Sequence, residues 1–113
     1  MSEQSTDGDD LFWDVASELM ASDERLVEGT IMSSRCLRLV RSGKEEFLAM
    51  PHHKKSGLVV KLPKERVTAL IAAGEAEEFA PAGKVFREWA AVVDYDDQRW
   101  RDLLLEGITF VGG

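Results

Sequence analysis

The sequence predicts an α+β fold in which an antiparallel sheet of about five strands packs with three helices, in the order α-β(3-4)-α-β(2)-α. Two observations carry this expectation. Apolar residues recur at helical spacing near both ends of the chain and once in the middle, and the stretches between them alternate over short runs bounded by turn formers. The connections are short, which favours an antiparallel sheet over βαβ crossovers.

The elements follow in order. "DDLFWDVASELMAS" spaces Leu11, Phe12, Val15, Leu19 and Met20 along one helical face, and Asp9 or Asp10 suits its first turn as a cap. "LVEGTIM", Leu26 to Met32, is rich in β-branched residues and reads as a first strand that Gly29 weakens. "CLRLV" and "EFLAM" flank "RSGKE", whose Gly43 suits a tight turn, so the two form a hairpin. "LVVKL" sets Leu58, Val60 and Leu62 on one face against Val59 and Lys61 on the other, which would put Lys61 and Arg38 on a solvated basic face.

A second helix runs from about Pro63 to Ala73, with proline in its first turn, a stripe of Val67, Leu70 and Ile71, and Gly74 as a left-handed stop. After a turn at Pro81 to Gly83, Val85 to Val93 reads as a long central strand. On it Val85, Trp89, Ala91 and Val93 share one face, and Phe86, Ala90 and Val92 the other. The last helix has Asp94 or Asp96 as cap and Trp100, Leu103, Leu104 and Val111 as its core stripe.

A chain of 113 residues is long enough to bury a core, and we expect one domain over residues 10–113 behind a flexible acidic leader at 1–9. The longest apolar runs, "ALIAA" and "WAAVV", fall far short of the ~20 residues that span a bilayer, and the chain opens without a secretory signal pattern. With one cysteine, Cys36, there is no internal disulfide, and a cytoplasmic location is the expectation.

Net charge is −7, but it is unevenly spread. Residues 1–34 hold one base against nine acids and residues 67–113 hold four against nine, whereas residues 35–66 hold nine bases against three acids. A basic middle third fits an anionic partner; it also fits basic strands neutralised by acidic helices.

Within that third, "HHKK" joins His52 and His53 to Lys54 and Lys55. Adjacent histidines on an extended segment point to opposite sides, and neighbouring lysines repel a cation, so no metal is expected. A solvated hairpin tip and an oxyanion contact both remain open. Cys36 lies among arginines that would favour a thiolate, yet no acid is placed to orient a histidine beside it, and a small buried residue at a strand start is the simpler reading. The glycines form no phosphate-cradling motif, and no cofactor is implied. Phe79, Phe86, Trp89 and Trp100 lie in periodic apolar stripes and read as core.

"SSRCLRLVRSGKEEFLAMPHHKKSGLVVKLPKERVTALIAAG", then "FAPAGKVFREWAAVV" and a terminal "RWRDLLLEGITFV", resembles the MmcQ/YjbR-like family and, more distantly, the N-terminal domain of TfoX/Sxy-type competence regulators. The marks are the hairpin reaching Phe47, "LVVKLP" with Lys61, the "FAPAG" turn and Trp89. The resemblance implies a secretion-chaperone-like α+β fold and a family label of DNA binding through a double-wing motif.

Charge and resemblance together give the leading expectation of a non-enzymatic binding domain that contacts DNA through Arg35, Arg38, Arg41, Lys44, His52, His53, Lys54, Lys55 and Lys61. The overall acidity opposes it. The alternative is a protein-interaction or chaperone-like module that binds a peptide or a second copy of itself. An enzyme built on Cys36 and a histidine is the least favoured.

Overall fold

The computed structural model describes residues 7–31, 34–52, 57–93 and 96–112. In chain order the elements are α1 (Asp7–Ser22), β1 (Leu26–Ile31), β2 (Ser34–Arg41), β3 (Lys44–His52), β4 (Gly57–Lys61), α2 (Lys64–Ala72), β5 (Glu77–Glu78), a 3₁₀ turn (Pro81–Gly83), β6 (Trp89–Val92) and α3 (Asp97–Gly112). The fold is α+β, with three helices and a six-stranded sheet ordered β1-β2-β3-β4-β6-β5 in which every neighbouring pair is antiparallel.

Local chemistry accounts for the turns. Arg41 pairs with Lys44, so the β2–β3 hairpin closes on Ser42 and Gly43, both at positive φ (53° and 78°) as a type I′ turn requires. Helix α2 ends in a Schellman motif: Gly74 at φ 76° donates its N–H to the Ile71 carbonyl, and the Glu75 N–H donates to that of Leu70. Asp96 caps α3, its carboxylate accepting the Arg99 N–H at 3.1 Å.

The helices lie on one face of the sheet. Phe12, Val15 and Leu19 of α1, Val67 and Leu70 of α2, and Trp100, Leu103, Leu104 and Ile108 of α3 bury against Leu37, Leu39, Leu48, Leu58, Val60, Ala90 and Val92. Fully burying side chains of this size stabilises by roughly 1.5–3 kcal/mol each. Helix α3 approaches the sheet tightly at Gly107: a Cβ there would come within 2.9 Å of the Lys61 carbonyl oxygen.

The opposite face carries a second, smaller core of Cys36, Phe47, Met50, Val59 and Trp89, with Ile31, Phe79 and Phe86 packed around it. It is therefore not the plain solvated face that alternation predicts. Arg38 and Lys61 do share it, opposite Phe47 and Trp89 respectively in the pairing.

Other expectations change. Helix α1 starts at Asp7, so Asp9 and Asp10 lie inside it and not ahead of it; residues 1–6 of the expected leader lie outside the described residues. Pro63 is the N-cap of α2, its carbonyl accepting from Arg66 and Val67. The expected long strand from Val85 is four residues, Trp89–Val92, because Phe86 turns back to donate its N–H to the Phe79 carbonyl and Trp89 closes a turn onto Phe86. The first of the two strands expected between α2 and α3 is only Glu77–Glu78, which pairs with Ala91 and Ala90, and with four strands ahead of α2 the sheet has six. A bulge places Leu48 between the Leu37–Ala49 and Arg38–Phe47 pairs, so consecutive residues Leu48 and Ala49 both enter the helix-side core. Asp94, the other suggested α3 cap, lies outside the described residues, as does Met32 at the end of the first strand.

Candidate functional site

Most of the arginines expected to form a basic surface are engaged within the fold. Arg35 turns toward the helices, its guanidinium 4.3 Å over the Trp13 ring, with Nε donating to Glu28 at 2.5 Å. That hydrogen bond holds the Glu28 carboxyl below its ordinary range. Arg41, six positions along on the same side of β2, donates to the Val111 carbonyl at the C-terminal end of α3, where the helix dipole favours a cation. Lys44 lies opposite it, exposed, beyond the β2–β3 turn.

Arg38 lies across the other face. It donates to the Thr30 carbonyl on β1 and the Glu45 carbonyl on β3, each at 3.1 Å, and its Nε stands 3.4 Å from the Glu45 carboxylate. The Nε is buried without a well-aligned hydrogen bond, so its compensation is that ion pair. Gly29 makes this possible, because a Cβ there would come within 2.3 Å of the Arg38 Cδ. The glycine expected to weaken β1 is the trough in which Arg38 lies.

His52 ends β3, opposite Gly57, with its ring edge-on to Phe79 at 5.7 Å. It belongs to the margin of the second core. His53, Lys54 and Lys55 lie outside the described residues, so of "HHKK" only His52 has a described position. Cys36 is fully buried, and that burial pushes its thiol above the ordinary 9.0. Three or more His, Cys, Asp or Glu side chains gather nowhere as a metal-binding group among the described residues. No helix among the described residues is long and apolar enough to cross a membrane.

Lys61 is different. It lies at the end of β4 opposite Trp89, and it lines a groove of about 340 Å³ together with Val85, Phe86, Arg87, Glu88 and Trp89. Its two aromatic lining residues, Phe86 and Trp89, meet in a tilted pair at 4.5 Å between ring centroids, and behind them Trp89 stacks on Phe47 at 4.2 Å and on Phe79 at 5.4 Å. Lys84 extends its ammonium over the Phe86 ring at 5.7 Å. The β4–β6 pairing and the hydrogen bond from the Leu62 N–H to the Glu88 carbonyl hold the two segments together.

Sequence reasoning placed Lys61 here but missed Lys84, Val85 and Arg87. Counted by thirds, the two cations vanish into an acidic segment. The signal that marks them is local: in "GKVFREW" they bracket Phe86 and adjoin Trp89. Neither Lys61, Lys84 nor Arg87 meets a carboxylate partner among the described residues, whereas Arg25, Arg66, Arg99 and Arg101 pair with Asp23, Glu106, Glu75 and Glu18.

No family model, curated protein or solved structure matches this chain.

Proposed function

We propose that this chain is a non-enzymatic binding domain for nucleic acid, contacted as a polyanion at the corner formed by Lys61, Lys84 and Arg87. One observation carries the reading: Lys61 and Arg87, drawn from two distant segments, line one groove, Lys84 lies over the Phe86 ring that also lines it, and none of the three is held in an ion pair among the described residues, while Arg35, Arg38 and Arg41 are engaged by partners on the chain itself. The resemblance to MmcQ/YjbR-like proteins is consistent with it, and so is a cytoplasmic location.

Fluorescence anisotropy of labelled duplex and single-stranded DNA tests it. Three phosphate contacts give a slope of log affinity against log salt of about −2 on single strands and about −2.7 on a duplex. Lys61→Glu and Arg87→Glu should each weaken binding and flatten that slope by about one, while Arg35→Glu should leave it unchanged. Binding that survives both reversals would place the contact elsewhere; no binding at about 50 mM salt would end the nucleic-acid reading.

A protein-interaction module has one observation in its favour, the six-residue strand β1 at the edge of the sheet. It requires dimers or peptide adducts by light scattering, and a monomer that captures no peptide would refute it.

A further inference from the structure

Resting on that reading, we infer that the groove beside Phe86 takes one unstacked base of a single strand, with Lys61, Lys84 and Arg87 holding the flanking phosphates. The lining argues for a base because it is mixed. Val85 is 40% exposed and Phe86 is half-buried, so apolar surface is presented at the centre of a cationic corner where a site for phosphates alone would have none. At about 340 Å³ the groove is open rather than enclosing, with room for a flat ring laid against Phe86 and none of the envelopment of a closed ligand pocket. A duplex keeps its bases stacked and presents only their edges, and so cannot fill it. A single strand can turn one base onto an aromatic while its backbone follows the cations.

Glu88 gives the inference a finer edge. Its exposed carboxylate shares the groove with Lys61 and Arg87, yet pairs with neither at ion-pair distance. It would repel a phosphate placed there. To a base it is a hydrogen-bond acceptor, and it suits the exocyclic amine of cytosine, whereas thymine offers only a carbonyl at that position.

The test uses the full chain and four labelled probes of equal phosphate count: oligo-dC, oligo-dT, an abasic strand and a duplex. We expect oligo-dC to bind about tenfold more tightly than the abasic strand and the duplex, as one stacked base implies, and more tightly than oligo-dT. Changing the probe leaves the protein's fold untouched. Glu88→Ala should strengthen binding to both homopolymers and erase their difference, and Phe86→Ala should bring oligo-dC down to the abasic level. An abasic strand held as tightly as oligo-dC would overturn the base pocket while leaving the polyanion contact standing. Failure of all four probes to bind would overturn the proposed function itself. Equal affinity for oligo-dC and oligo-dT would remove Glu88 from the site.

Discussion

Replacing Gly107 by alanine separates two opposed effects whose magnitudes the structure supplies. In an exposed helix interior the change stabilises by about 1 kcal/mol, because alanine is the better helix former. At this position the new methyl would lie 2.9 Å from the Lys61 carbonyl oxygen, 3.0 Å from Leu48 Cδ1 and 3.1 Å from Val60 Cγ2. The two side chains can shift, but the carbonyl is part of the β4 backbone and cannot rotate away. Overpacking of this kind costs about 1–3 kcal/mol, so the net expectation is a loss of about 1 kcal/mol. For a chain of this length that lowers Tm by about 4 °C. Urea unfolding followed by circular dichroism should show a lower midpoint at unchanged m. Thr109→Ala, at an exposed site on the same helix, should instead gain about 0.5 kcal/mol. If Gly107→Ala also gains stability, α3 does not approach β4 as described, and the support behind Lys61 falls with it.

Three further outcomes follow from local chemistry. Ser42→Asn should stabilise by about 0.5 kcal/mol, since asparagine tolerates the positive φ of a type I′ turn better than serine; a lower Tm would contradict the turn assignment. Arg66→Ala removes the paired hydrogen bonds to Glu106 at 2.9 and 3.1 Å that link α2 to α3; both side chains are some 40% exposed, so the loss should stay under about 1 kcal/mol and shrink in high salt. Cys36 should resist a thiol reagent in the native state and react at once in urea. Because burial raises its pKa, its contribution to stability is intact below about pH 9 and falls as pH rises beyond that, when only the unfolded chain ionises freely. The urea midpoint of the wild type should therefore drop more steeply above pH 9 than that of Cys36→Ala, and equal slopes would mean a solvated thiol.

What the sequence discloses divides by range. The three helices, the β2–β3 turn and the stop at Gly74 are legible because a few neighbouring residues decide them: a periodic stripe, a glycine at positive φ, an aspartate three residues ahead of the N–H it accepts. The place of the short strand β5 is not legible, because "EE" has no strand character of its own and is held by pairing with Ala90 and Ala91. The end of the apparent long strand is equally hidden. Val85 and Phe86 alternate as a strand should, but the Phe86 ring packs on Phe79 and Trp89, and that contact bends the segment over the sheet.

The site follows the same logic for charge. Nine bases against three acids in residues 35–66 is a fact about a segment, while a binding surface is a fact about a place. Strand alternation sends Arg35 and Arg41 toward the helices and Arg38 to the other face, and apart from Glu45, which faces Arg38, their partners come from outside the segment's own count: Glu28 on β1, the Thr30 carbonyl, the end of α3. What stays uncommitted depends on antiparallel pairing that sets Lys61 against Trp89 and so brings a lysine of the basic third into one groove with Arg87 of an acidic one. The net charge of a stretch cannot report this, because pairing between β4 and β6 joins residues nearly thirty positions apart. For Lys61 the nearer indicator is an aromatic strand partner, Trp89, with no carboxylate at ion-pair distance among the described residues; Arg38 also faces an aromatic, Phe47, but there the Glu45 carboxylate stands 3.4 Å away and takes up the charge.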